Sequence, residues 1–522
     1  MNQNCEDKSA SVHDFFSAAE QHQEVIPPGE FSDLHHGIQA MTAALEDAIS
    51  ASGDPLTVPM LSVMPVIPAS QRKRGRPRKE IDKKFLAGAL TLRGPTGIAR
   101  SLHCHARTVR RRALDYGLVE PGAPCYQDIV EPDGTSRRVW QSTGPPISAI
   151  SNMPERLDEE IADILRLFPN FGRTMLAGAL RSRGFRVPQD RIEASYIRVH
   201  GAPPRLFNER RIERWVYSVP GVNSLWHHDG QHSLIRWKFV THAFTDGKSR
   251  LLTGARVSNN NRGTTVLDVM ERAAAKHGWP SRLRGDHGTE NILVARRMEE
   301  VRGPGRGSYI WGSSVHNIRM ERLWVDYAQG VANKWVDFFY ELELYYSLQQ
   351  ENTAHIWLLH HLFLAAIDED VQEWVEAWNS HKISLPGGGR RSPRDMFTFG
   401  LLEQGPRGLD TLLFQQEEAA YAHIEEYGVD WEAQSDPVII QHLADSSAVP
   451  SSDGNPFSLS PTPSTMNEVI VEPPTGPLSA DQINRLDSEL SLRVDLSSRD
   501  MGVRKLVWEE ALAICTSFFS QN

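Results

Sequence analysis

The chain has 522 residues, 56 Lys and Arg against 66 Asp and Glu, a formal net charge of −10, 40% hydrophobic and 23% charged residues. That size and ordinary composition fit a mostly globular protein of roughly two to four domains. Four cysteines without a CxxC pair exclude a disulfide framework and a structural zinc site, and the longest apolar stretch, IWLLHHLFLAAI, is too short and too rich in His for a membrane span.

The charge is unevenly placed. Residues 401–522 hold 6 basic and 20 acidic side chains, so the first 400 residues are slightly basic. A partner with negative charge would therefore meet the N-terminal part. Residues 1–70 show little periodicity and several Pro and Ser, and are expected to be largely disordered, with no charged-then-apolar secretory leader. QRKRGRPRK, residues 71–79, packs six Lys and Arg into nine positions. Its RGRPRK core, with Arg72, Arg74, Arg76 and Arg78 in the run, resembles an AT-hook, whose Arg side chains lie in a narrow AT-rich minor groove where negative potential is concentrated. A nuclear-localisation run is the other reading, and the two are compatible.

IDKKFLAGALTL, TGIARSLH and ARTVRRRALDYGL read next as three short helices, completing a helix-turn-helix-like module over 71–120. The third carries Arg107, Arg110, Arg111 and Arg112, with Val109 and Leu114 expected to face inward; Arg107, Arg110 and Arg111 are candidates for contact with duplex DNA. The tripeptide His103-Cys104-His105 lacks the spaced partners that zinc requires. A second helical unit occupies 155–200, with Ile161, Leu165, Leu176 and Leu180 as its core and Pro188 suited to the start of a final helix. Its Arg residues leave recognition and scaffolding both open.

From residue 222 the pattern changes. Residues 222–229, Val240 to Phe244 and Leu251 to Val257 read as three antiparallel strands, the last two joined at Asp246-Gly247, a strong turn dipeptide. Val266, Val269, Met270 and Ala273 recur at i, i+3, i+4 and i+7, which predicts an amphipathic helix. SRLRGD then forms a fourth strand that, following a helix, can run parallel to a neighbour. Three acids stand out in this frame: Asp229 in LWHHDGQH, Asp286 in RLRGDHGTEN and Glu321 in SVHNIRMERLWVDY. The first follows one strand, the second ends another, and the third lies in a helix, with 34 residues between Asp286 and Glu321.

With those contexts and that spacing, the segment resembles the integrase core shared by retroviral-type integrases and many cut-and-paste transposases, the DDE family. The resemblance implies an α/β fold of RNase H-like type, a mixed sheet flanked by helices and preceded by helical DNA-binding modules. It covers about residues 205–400, because DVQEWVEAWNSHKISLPGGGRRSPRDMF is similar to the end of such cores, where a helix ends in Asn and a loop leads to a Ser/Thr-Pro and a closing helix. FPNFGRTMLAGALRSRGF within 155–200 is similar to the helical module that often precedes them. The family's ligands, carried over, make Asp229 the bridge between two Mg²⁺ (or Mn²⁺) ions, with Asp286 and Glu321 each holding one. Carboxylates suit hard cations that prefer oxygen, and two such ions promote in-line displacement at phosphorus.

Other polar residues sit near the triad. One of His227 and His228 is expected to face away from Asp229, and Asn291 and His287 are candidates for phosphate contact. Arg319 and Arg322 bracket Glu321 on a helix that lies against DNA in the family, where surface ion pairing is the alternative. Trp335, Phe338, Phe339 and Leu342 share a helical face and read as core. Gly387 to Arg391 form a basic loop. The region 401–522 reads as an acidic, partly disordered tail, with a Ser/Pro-rich linker over 445–478 and then Ile483, Leu486 and Leu490 on one stripe behind the cap pair Ser479 and Gln482.

The sequence thus predicts a stand-alone, nuclear, Mg²⁺-dependent enzyme that cleaves DNA at an element end and joins the 3′-OH to target DNA, acting as a homo-oligomer without membrane association. A host-retained, non-catalytic DNA-binding regulator is the alternative, favoured by the long acidic tail. A nuclease acting on RNA–DNA hybrids is a third reading.

Overall fold

A computed structural model describes residues 66–67, 80–120, 126–130, 136–140, 148–200, 219–303, 307–312, 318–385, 389–405 and 469–519. Arg72, Arg74, Arg76 and Arg78, the region 1–65 and the start of the linker lie outside them.

The centre is a five-stranded sheet: β1 (Leu225–Gln231), β2 (Val240–Asp246), β3 (Leu252–Ser258), β4 (Arg282–Gly285) and β5 (Tyr309–Trp311). Its order is β3-β2-β1-β4-β5, antiparallel across the first three and parallel from β1 to β5. The hairpin between β2 and β3 closes on Asp246, whose buried carboxylate accepts from the backbone of Asn223 at 2.8 Å and of Ser249 at 2.7 Å. Such Asx hydrogen bonding is what makes Asp a turn residue. The mixed sheet with helices on its faces is the RNase H-like architecture expected of the segment; the short fifth strand, β5, carries too few residues to show a strand pattern in sequence.

The helices fall into groups along the chain. The N-terminal unit is α1 (Lys83–Leu92), α2 (Pro95–Ser101) and α3 (Ala106–Asp115). Asp82 caps α1 by accepting from Phe85 N at 2.7 Å, and His105 caps α3 by accepting from Arg107 N at 3.1 Å. Val109 is buried as expected, but Leu114 is 44% exposed and Ala113 takes the inward position, one full turn after Val109. Arg112 is buried as well, paired with Glu80 and Asp115.

The second unit is α4 (Pro154–Leu167), α5 (Arg173–Ser182) and α6 (Gln189–His200). Ile161, Leu176 and Leu180 are buried, while Leu165 is only partly so and Ile164 lies inside. The core helices are α7 (Gly263–His277), α8 (Ile292–Arg302), α9 (Ile318–Tyr327), α10 (Asn333–Tyr345), α11 (Thr353–Ser380) and α12 (Pro393–Glu403). A π-helical turn, Ala328–Ala332, joins α9 to α10. One face of the sheet packs on α7 and α8 through Trp226, Phe244, Val266, Met270 and Val294. The other packs on α9 to α11, where Trp335, Phe338 and Phe339 surround Phe363.

The 28 residues of α11 form a spine roughly 42 Å long. It lies against β3 and α5, and its Asn379 side chain pairs in both directions with the backbone of Leu252, at 2.9 and 3.0 Å. Gly178 of α5 sits so near α11 that a methyl there would lie 2.5 Å from Ala377 O. The second helical unit therefore shares one apolar cluster with the central sheet and its helices.

Two more helices, α13 (Ala480–Arg493) and α14 (Met501–Phe519), follow the linker. Ser479 and Gln482 form the expected capping box. Leu486, Leu490, Val507, Trp508, Ala511 and Ile514 are buried in the same cluster as the core helices. Asp370 of α11, fully buried, anchors this end: it accepts from Lys334 Nζ at 2.6 Å, Trp335 Nε1 at 3.0 Å and Arg499 at 2.5 Å. Residues 469–478, read from sequence as the end of a linker, run along the core. The Asn261 backbone donates to Val471 O at 3.1 Å, the Asn261 side chain donates to Val469 O at 3.0 Å, and Arg262 pairs with Glu472. No helix among the described residues is long and apolar enough to cross a membrane.

Candidate active site

β1 and β4 are neighbouring parallel strands in which His227 lies opposite Arg284. Two residues further along each chain come Asp229 and Asp286, so the register sets these two acids side by side at the same sheet edge. Glu321, buried in the first turns of α9, approaches from the helical layer. Three residues on, Trp324 Nε1 donates to Asp229 Oδ2 at 3.0 Å, while Asp229 Oδ1 accepts from Gly230 N at 2.8 Å. The Asp286 carboxylate accepts from Asn291 Nδ2 at 2.7 Å.

Burial, and then the negative charges of Asp286 and Glu321, hold the Asp229 carboxyl well above the usual carboxylate range. Burial raises Asp286 too, against the lowering pull of the Gly288 backbone and of His232 and His287. Like charges forced together in a desolvated pocket disfavour ionisation, and a cation placed among them relieves the penalty.

Alternation along β1 sends His228 to the other face, where it stacks on Phe244 and shares a 2.7 Å hydrogen bond with Tyr309 Oη. Burial drives its pKa down to about 3, so it stays neutral and structural. Gly285 is required beneath it, since a Cβ there would clash with both the Tyr309 hydroxyl and the His228 ring. His227 is also buried.

Asn291, a candidate for phosphate contact, donates to Asp286. His287 lies 6.2 Å from the Trp311 ring. Arg322 is exposed and near Asp326 at 3.8 Å; Arg319 is half-buried and close enough to Lys248 to lower its pKa. Arg107, Arg110 and Arg111 of α3 are exposed to solvent.

Glu290 is the residue that sequence reasoning missed. It is nine-tenths buried, and burial followed by the charge of Asp286 pushes its pKa up to about 7. The signal was present as a second acid four positions after Asp286, but a Gly-containing turn gave no reason to fold it back. Trp324 was also missed, although it shares a helix face with Glu321.

Among the described residues no group of three His, Cys, Asp or Glu side chains is drawn tightly enough to hold one metal ion. The donor chemistry nevertheless fits a hard divalent cation: three oxygen acids, partly desolvated and repelling one another.

A mixed β3-β2-β1-β4-β5 sheet with helices on both faces is the RNase H-like architecture. Residues 216–408 match the family model described as Integrase core domain, so this segment is an integrase core of the DDE type. No curated protein matches the chain.

Proposed function

We propose that the protein catalyses metal-dependent DNA strand cleavage and transfer, with Asp229, Asp286 and Glu321 as catalytic and metal-holding residues. The observation that carries this reading is the placement of Asp229 on β1 and Asp286 just past the end of the neighbouring parallel strand β4, with Asp286 and Glu321 close enough to add to the rise that burial gives Asp229. Two Mg²⁺ or Mn²⁺ ions, when bound, would supply activation of the attacking oxygen and stabilisation of the leaving oxygen. The chain's own part is positional. Trp324 fixes one oxygen of Asp229, Asn291 orients Asp286, and the buried setting of Glu321 keeps its carboxylate from wandering into solvent.

Around this centre we assign duplex DNA as substrate, with Arg107, Arg110 and Arg111 contacting one segment and Arg319 and Arg322 flanking the site. Residues 71–79, including Arg72, Arg74, Arg76 and Arg78, serve as minor-groove hook and nuclear address, and synapsis of two DNA ends calls for a homo-oligomer. The helical modules over 71–120 and 155–200, the core over 205–400 and the tail over 401–522 are the working divisions of this scheme.

The test is a gel assay of labelled DNA bearing the sequences that flank the coding region, with wild type and Asp229→Asn side by side. Loss of several kcal/mol of transition-state stabilisation corresponds to about a thousandfold or more in rate, with DNA binding retained. Mn²⁺ replaces Mg²⁺ and Ca²⁺ supports binding alone. Equal activity in the variant, or none in the wild type, leaves a non-catalytic DNA-binding regulator as the better account.

A further inference from the structure

At the same end of the sheet as the acids, but on the outer strand and two strands from Asp229, lies a cleft of about 200 Å³ between the end of β3 and the start of α7. Its walls include Ser258, Asn259 and Asn260 from the loop and Thr264 and Thr265 from the first helical turn. Ser258 stands opposite Val240 at the start of β2, next to the pair formed by Thr241 and Gln231 at the end of β1. Gly263 abuts the loop of the second acid, since a Cβ there would lie 3.1 Å from Glu290 O. The cleft therefore opens at the same end of the sheet as the acids, with the start of α7 lying between it and the loop that follows Asp286.

Three features point to an anion. First, α7 is 15 residues long and no side chain caps its N-terminus; the leading N–H groups and helix dipole of such an end attract negative charge. Second, Ser258 is only 4% exposed, yet its hydroxyl has no hydrogen-bond partner among the described residues. A buried hydroxyl left unsatisfied is costly and calls for an explanation. Third, the one acid in the cleft, Asp268, is already neutralised by Arg256 at 2.8 Å and Arg272 at 3.0 Å. Thr265 Oγ1 donates to Asn260 Oδ1 at 2.6 Å and braces the loop in this shape.

We propose that this cleft is a subsite for a DNA backbone phosphate further along the strand from the reacting one, held by the Ser258 hydroxyl and the first turn of α7. The assignment rests on the proposed action on duplex DNA and adds a second point of registration for the strand. One phosphate at the acids leaves the strand free to swivel. A second, fixed by a helix terminus on the rigid sheet, sets its direction through the site.

The test uses the full chain, a labelled random-sequence duplex and a series of salt concentrations, with Ser258→Ala and Thr264→Asp. Thr264 is exposed, and an Asp in the first turn of a helix is favourable, so this variant keeps its melting temperature. It nevertheless places a carboxylate where the phosphate would sit. The expected result is an affinity loss of about tenfold for Thr264→Asp, with the slope of log K against log salt nearly unchanged, because no Lys or Arg contact to a phosphate is removed. Ser258→Ala weakens binding severalfold while its melting temperature holds or rises, since an unpartnered buried hydroxyl is removed. Inorganic phosphate raises the melting temperature of the wild type more than that of Thr264→Asp. If the wild type binds duplex and both variants bind equally well, the subsite is refuted while the DNA-processing reading stands. A wild type without affinity for duplex overturns both.

Discussion

Glu290 is an acid that its surroundings hold in the protonated form well above the usual carboxylate range. Its carboxyl, nine-tenths buried beside Asp286, has a pKa of about 7 against an ordinary 4.5. A raised folded-state value means that the folded protein holds this proton more tightly than the unfolded chain. The associated stabilisation is complete below about pH 4.5, declines as pH rises, and is gone above about pH 7. In chelator, the melting temperature of the wild type should fall across that window. Glu290→Gln should flatten the fall, with a difference at neutral pH on the order of 3 kcal/mol at most. A wild-type profile that is flat, or that rises from pH 4.5 to 7, contradicts the burial of this acid. Asp229 and Asp286 were legible from their strand-end contexts; Glu290 was not, because only the register of β1 with β4 and the turn after it bring the second acid back.

Helix α3 divides its arginines by role. Arg107, Arg110 and Arg111 are exposed, whereas Arg112 is buried against Glu80 and Asp115. Replacing the first three with Ala should leave thermal stability within about 0.5 kcal/mol and, if they contact phosphates, lower the salt slope of DNA binding by up to about three. Arg112→Ala should do the reverse, lowering the melting temperature of the N-terminal unit while leaving the slope nearly unchanged. A common effect of both variants on the slope would erase the distinction. The helix itself was readable from its composition, but its inward face was misjudged by one position at Leu114 because an Arg-rich helix offers little apolar contrast. By comparison, Val266, Val269, Met270 and Ala273 of α7 give a clear stripe, and all four are buried. The unit also borrows Phe399 of α12 for its core, with the Arg93 guanidinium 3.7 Å above that ring and paired to Asp395 and Glu403. A contact across some 300 positions leaves no local trace in sequence.

Over the whole molecule, the helical unit of α4 to α6, the core helices and the tail helices merge into one apolar cluster. Asp370 is its polar knot, with Lys334 and Arg504 deeply buried beside it and Arg499 arriving from the tail. Although burial alone would raise it, Lys334 and Arg499 hold the Asp370 carboxyl below the usual range. Asp370→Asn strands these cations and should cost about 3–5 kcal/mol, measured by denaturant unfolding; a loss under 1 kcal/mol would mean that the knot is solvated. The first four strands and the helix α7 followed from alternation, turn chemistry and helical period, whereas the strand order, the fifth strand and the helix α8 did not. The docking of α13 and α14 did not, because a Leu stripe announces an apolar face without naming its partner. That docking also bears on how the protein is made. Trp508 and Ile514 complete a core begun by Ile161, so translation has run through more than 340 further residues before the last wall is in place. Until then the faces of α10 and α11 have no cover, and the nascent chain presents them to whatever is nearby. The integrase core is thus central in sequence but finished last in time, and a message cut short after its final acid yields an unclosed chain.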